Sequence, residues 1–182
     1  MTPAATADRA ALVDWSRDVI AGGSQSFAAA SRLFDRATRE RAWLLYSWCR
    51  AADDITDGQI LGHEGKASSN PAAAQADLEA RTRAALCGDE PVAPPFAALR
   101  QVVRETGIPR DLIDHHIAGF ALDAQAWRPA TADDLMQYCY HVAGSVGCMM
   151  AMVMGVDPAD EDTLDRACDL GISFQLANIA RD

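Results

Sequence analysis

Four residues set the chemistry open to this sequence: Tyr46, Arg50, Asp53 and Asp57. An α-helix turns once every ~3.6 residues, so on a helix their spacing places all four on one stripe. Asp53 and Asp57 then stand roughly 5–6 Å apart on the same face. Two carboxylates so placed repel unless a cation lies between them. Oxygen ligands on a rigid helix suit Mg²⁺, with Mn²⁺ as an alternative. Mg²⁺ takes one or two carboxylates and leaves its other positions to water or to a substrate's phosphate oxygens. Arg50, one turn earlier, can pair with phosphate directly. An Asp-rich helix end can also be no more than a solvated face. The neighbours argue otherwise: Trp43, Leu44, Leu45, Trp48 and Cys49 make this helix apolar nearly all round. Acids rarely enter such a helix unless they are paired or hold a metal.

A second polar stripe lies near the end of the chain. Gln175, Asn178 and Asp182 follow the i, i+3, i+7 pattern on an otherwise apolar run, and Arg181 lies beside them. If the two stripes turn toward a common interior, they build a cavity in a bundle core, where metal sites of this kind occur.

The elements that must position these residues are all helical. Residues 36–57 contain no Gly or Pro and are rich in helix formers, so the acidic stripe falls on one long helix. Before it, residues 7–21 read as a helix stopped by Gly22-Gly23. Ser24 or Ser26 can cap a short helix that runs through residue 34. Residues 58–71 read as a loop, with Asn70 as N-cap and Pro71 as first residue of a helix to 87. Residues 88–95 form a connector, and helices follow at 96–105 and 109–126. Thr131, with Asp134 three places on, caps a helix over 132–155. Ala143, Gly144, Ser145 and Gly147 lie in its middle. A glycine inside a helix costs ~1 kcal/mol, so a neighbouring helix or a ligand must approach that backbone closely. Asp157-Pro158 cap and start the last helix. There is no alternating strand pattern, no GxGxxG and no repeat. His63, His115, His116 and His141 read as structural or exposed.

The expected architecture is a single all-α domain over 1–182. A net charge of −10 argues against nucleic acid and against binding anionic lipid by charge alone. An anionic substrate would need metal ions to bridge it to acids. Five cysteines without a CxxC point to reduced thiols and a cytoplasmic location. No apolar run reaches the ~18 residues of a membrane span. Oligomeric state is not legible.

Four motifs in order resemble the squalene and phytoene synthases. They are Ser24-Gln-Ser26-Phe27; Tyr46-x-x-x-Arg50-x-x-Asp53-Asp54-x-x-Asp57; Tyr138-Cys-Tyr-His-Val-Ala-Gly-Ser-Val-Gly147; and Gln175-x-x-Asn178-Ile-x-Arg181-Asp182. Their wording is most similar to the bacterial phytoene synthases. The resemblance implies an isoprenoid synthase-type helical bundle. It implies head-to-head condensation of two geranylgeranyl diphosphates to phytoene through a cyclopropyl diphosphate. The family's metal-binding aspartates fall on Asp53, Asp57 and Asp182, with Asn178 beside the last. Ser24, Ser26, Tyr46, Arg50, Gln175, Asn178 and Arg181 match positions that contact diphosphate or shape the site. Phe27 and Tyr138 match residues near the reacting carbons. The second aspartate motif needs a partner four residues after Asp182, where the sequence stops. The expectation is therefore a bundle incomplete at its C-terminal end, and a chain that makes no phytoene by itself. Apolar substrate and product imply contact with a membrane surface. Alternatives are squalene or dehydrosqualene synthesis from farnesyl diphosphate, a terpene cyclase, and a non-catalytic helical protein that binds metal or a partner.

Overall fold

The computed structural model describes residues 8–57, 70–125 and 127–181. Among the described residues every regular element is a helix. The chain divides into two compact units, Met1–Glu105 and Thr106–Asp182. Among the described residues, no helix is long and apolar enough to cross a membrane.

The first unit holds α1 (Arg9–Gly23), α2 (Gln25–Ala30), α3 (Arg36–Asp57), α4 (Pro71–Cys87) and nearly all of α5 (Pro94–Thr106). The short second helix tightens at Ser31–Leu33 into a narrower turn instead of continuing. α1 and α4 both pack on α3. Its inner face is apolar: Leu44, Leu45, Trp48 and Ala52 are buried. Two buried hydroxyls, Ser16 and Ser47, satisfy each other across the α1–α3 contact at 3.1 Å. Asn70 caps α4 as its sequence implies, accepting from the Ala73 N–H at 3.1 Å. An ion network ties three helices together. Arg9 on α1 reaches Glu40 on α3 and Glu105 on α5, both at 2.6 Å. Arg41 meets Glu105 at 3.0 Å. Arg100 of α5 donates to the carbonyl of Ala85 at 2.7 Å and to that of Glu90 at 2.9 Å, fixing the connector after α4. Gly107 follows α5 at φ 71°, a left-handed position that favours glycine.

The second unit holds α6 (Arg110–Ala124), α7 (Ala132–Cys139), α8 (Ser145–Val153) and α9 (Glu161–Arg181). Thr131 and Asp134 form the full capping box at the start of α7. The single helix expected over 132–155 is interrupted: Tyr140–Gly144 is a π turn. Its cause lies on another helix. The Ser145 N–H bonds back to the Tyr140 carbonyl, which frees the His141 carbonyl. That carbonyl accepts from the Ser145 hydroxyl at 2.9 Å and from His116 Nδ1–H of α6 at 3.3 Å. His141 Nδ1–H in turn donates to the His115 carbonyl at 3.0 Å. His116 is buried, as a structural histidine should be.

The glycines of the π turn and α8 are explained by α9. A Cβ on Gly147 would stand 2.3 Å from the Ala167 carbonyl oxygen, and one on Gly171 would stand 2.4 Å from that of Ala143. At Gly147 and Gly171 the neighbour that needs the space is a helix backbone; at Gly144 it is the side chains of Cys168, Tyr140 and Ile172. The expected start of the last helix also shifts. Asp157 closes a turn, accepting from the Ala159 N–H at 2.8 Å. Asp160 is the true cap, because its carboxylate reaches the Thr163 N–H at 3.2 Å and hydroxyl at 2.7 Å.

Candidate active site

In the first unit, Ser24, Phe27 and Tyr46 come together at the junction of α1, α2 and α3. Ser24 caps α2 by accepting from the Phe27 N–H at 3.3 Å. The hydroxyl of Ser26, an exposed residue, lies 3.5 Å from that of Ser24. Phe27 packs on Tyr46 with ring centroids 5.6 Å apart. Gly23 makes this possible: a Cβ there would lie 2.6 Å from the Tyr46 hydroxyl oxygen. Gly23 therefore does more than stop a helix; it leaves room for the phenol.

One turn along α3, Arg50 is 22% exposed and its Nη1 lies 3.8 Å from the Asp53 carboxylate, which is 40% exposed. Tyr46 Oη and Arg50 Nε are buried; the two side chains interact with each other, but neither atom has a hydrogen bond of good geometry. A buried donor left without an acceptor costs ~1–3 kcal/mol, and such groups mark places where a ligand supplies the missing atoms. Burial works to lower the Arg50 pKa, but Asp53, Tyr46 and Asp54 outweigh it and hold the guanidinium above its ordinary value. Arg50 thus carries its full positive charge beside an outward-facing carboxylate. Burial, followed by the Asp53 charge, pushes the adjacent Cys49 thiol up and favours its protonated form.

Asp57 is the last residue of α3, one turn beyond Asp53. The Asp57 side chain, Asp182 and His63 lie outside the described residues. Among the described residues, no three His, Cys, Asp or Glu side chains are placed to hold a metal ion. The oxygen donor at Asp53 is of the right kind for Mg²⁺ and keeps the solvent access that a hydrated ion needs.

In the second unit, α9 carries Gln175 half-buried and Asn178 and Arg181 exposed. Tyr138, on α7, is held from two sides. Its hydroxyl donates to Asp123 Oδ1 of α6 at 2.9 Å. The Trp127 ring stacks on it at 6.1 Å and 24°. Desolvation and the Asp123 carboxylate push the Tyr138 phenol up to about 12, so it stays a phenol at neutral pH. Partial desolvation raises Asp123, against the Tyr138 hydrogen bond, although the residue is exposed to solvent. Asp123 is absent from the sequence reading. No local signal marks it: it is one more acid on a helix until the chain folds back.

Residues 20–182 match the model of a family described as squalene/phytoene synthase. The chain is 53% identical over 171 residues to a 15-cis-phytoene synthase of Paracoccus sp., covering 94% of this chain and 56% of that protein. It is 50% identical over 174 residues to a phytoene synthase of Pseudescherichia vulneris, again covering 94% of this chain and 55% of the relative. The chain thus spans little more than half the length of these relatives. Among solved structures it is similar to a dehydrosqualene synthase in complex with ligand, with a TM-score of 0.80 at 28% identity, covering 96% of this chain and 57% of that one.

Proposed function

The chain belongs to the squalene/phytoene synthase family, and from that premise we propose that its protein joins two geranylgeranyl diphosphates head to head, giving phytoene by way of prephytoene diphosphate. The observation that carries this reading is the 53% identity to a 15-cis-phytoene synthase.

The residues divide the work as follows. Asp53 and Asp57 on the one motif, and Asn178 and Asp182 on the other, would hold Mg²⁺, for which Mn²⁺ could substitute. When bound, the ion neutralises charge developing on the leaving diphosphate. Arg50 and Arg181 add fixed positive charge, and Tyr46, Gln175, Ser24 and Ser26 supply neutral polar contacts. The buried donors on Tyr46 and Arg50, which lack hydrogen bonds of good geometry, support this assignment, since diphosphate oxygens would satisfy both. Phe27 and Tyr138 match family positions near the reacting carbons, where the cation must be kept from water. The protein works in the cytoplasm and meets a membrane surface, the latter because the prenyl chain of the substrate and the product are apolar. Partition of the intact protein between soluble and membrane fractions checks that point.

The test is product analysis. Intact protein with geranylgeranyl diphosphate and Mg²⁺ should yield phytoene, and Asp53→Asn or Asp57→Asn should abolish it. A second reading, condensation of two farnesyl diphosphates, is favoured by the likeness to a dehydrosqualene synthase. A C30 product from farnesyl diphosphate, with none from geranylgeranyl diphosphate, would replace the first reading by the second. Condensation that survives both substitutions would remove the metal assignment.

A further inference from the structure

The most specific polar contact that the proposed function leaves unused is the clamp around Tyr138. The phenol has two freedoms, rotation of its ring and rotation of its hydroxyl. Stacking on Trp127 at 6.1 Å restricts the first. The 2.9 Å hydrogen bond to Asp123 fixes the second. The two partners come from opposite sides of the α6 terminus. Asp123 lies in the last turn of α6, and Trp127 just beyond it, where its N–H bonds back to the Leu122 carbonyl at 3.0 Å. The capping box at Thr131 and Asp134 then sets the direction in which α7 delivers Tyr138. Backbone and side chains therefore agree on one position for this hydroxyl.

We infer that Asp123 is a positioning residue: it takes the Tyr138 hydroxyl proton into a hydrogen bond, so that the phenol oxygen presents its lone pairs, and not its proton, to the reacting carbons. An oxygen whose proton is donated to a carboxylate carries more negative charge than a free phenol. Such an oxygen, fixed before the reaction begins, stabilises positive charge that develops next to it. Trp127 keeps the ring from turning away. Asp123 itself touches no substrate. The inference rests on the proposed placement of Tyr138 near the allylic carbons.

The experiment is a double-mutant cycle in the intact protein, with kcat and KM measured on geranylgeranyl diphosphate. Asp123→Ala should lower kcat about tenfold and leave KM within about threefold, as expected for an interaction made mainly in the transition state. In a Tyr138→Phe background the same substitution should change kcat less than about twofold, since the hydroxyl it served is gone. Asp123→Asn keeps an acceptor oxygen but not the charge, and should fall between the parent and Asp123→Ala. If Asp123→Ala does not fold, the cycle is run with Asp123→Asn. Equal losses in both backgrounds, or a rise in KM alone, would overturn the inference. A second readout needs no substrate. The ¹³C carboxyl signal of Asp123, identified by its absence in Asp123→Asn, should titrate at higher pH in Tyr138→Phe than in the parent. An unchanged midpoint would overturn the pairing. A parent protein that makes no product from either prenyl diphosphate refutes the functional reading instead, and the carboxyl midpoint still decides whether the phenol is held.

Discussion

The packing of α8 against α9 gives the sharpest stability test. A methyl group on Gly147 would stand 2.3 Å from the Ala167 carbonyl oxygen. Ordinary carbon–oxygen contact begins near ~3.3 Å, so α8 and α9 must separate by about 1 Å to admit it. The atom in the way belongs to a helix backbone and cannot swing aside. Overpacking a well-filled interface costs ~1–3 kcal/mol, and a backbone clash belongs at the upper end. Alanine returns up to ~1 kcal/mol of helix propensity. Gly147→Ala should therefore lose about 2 kcal/mol net, or roughly 4–8 °C in Tm for a chain of this size. Gly144 is the internal control. Its added methyl would meet Cys168 Sγ at 3.0 Å, with Tyr140 and Ile172 side-chain atoms at 3.1 and 3.2 Å. These atoms are side-chain atoms that can give by a few tenths of an ångström. Gly144→Ala should lie within ~1 kcal/mol of the parent. Thermal and urea unfolding followed by circular dichroism measure both. A Gly147→Ala protein as stable as the parent, or less affected than Gly144→Ala, would refute the claim that backbone contact sets the α8–α9 spacing.

Three further outcomes follow from buried polar groups. Tyr46→Phe removes a buried hydroxyl whose contact with Arg50 falls short of good hydrogen-bond geometry, so stability should change by no more than ~1 kcal/mol while calorimetry shows weaker binding of inorganic pyrophosphate with Mg²⁺. A larger loss of stability would mean that the Tyr46–Arg50 contact holds the fold rather than awaits a ligand. Burial drives the His116 pKa down to about 4. The folded state then resists protonation, so stability present above the unfolded value near 6.5 should fall as pH drops toward 4, by on the order of 3 kcal/mol. In His116→Phe the Tm–pH curve should be flat over that window. Burial alone would raise Glu105, but hydrogen bonds from Arg9, Gln101 and Arg41 hold it down to about 2. Its contribution is complete above the ordinary carboxylate range and lost as pH falls toward 2. Glu105→Gln should lower Tm at neutral pH and remove that acid-side decline. A Glu105→Gln protein with the parent's Tm–pH curve would show that the network contributes nothing.

What could be read in the sequence and what could not divide by distance along the chain. Asn70 and the Thr131–Asp134 box act on residues three places away, and both appear where expected. The α3 stripe is equally local, since helical period alone sets Asp53 and Asp57 one turn apart. Gly144 and Gly147 announced a close neighbour without saying which, because the crowding atoms lie some 20 residues onward in α9. The π turn was illegible for the same reason: the imidazole that takes the freed carbonyl is 25 residues earlier, on α6. Asp123 is the functional counterpart, 15 residues before the phenol it holds. At the start of α9 two acids competed as caps. Asp157-Pro158 has the better local wording, but only Asp160 is spaced to reach Thr163.

The wide turn at Tyr140–Gly144 bears on how this segment tolerates changes in length. A π turn stores one residue more than a regular α-helix needs, which amounts to about 100° of winding. Had those residues wound normally, everything after Gly144 would be rotated by that angle relative to Tyr138, and Gly147 would no longer meet Ala167. A backbone already carrying a surplus residue can give it back. Deleting one position within 140–144 would restore regular winding and leave both flanks in phase, whereas adding one would put them out of step.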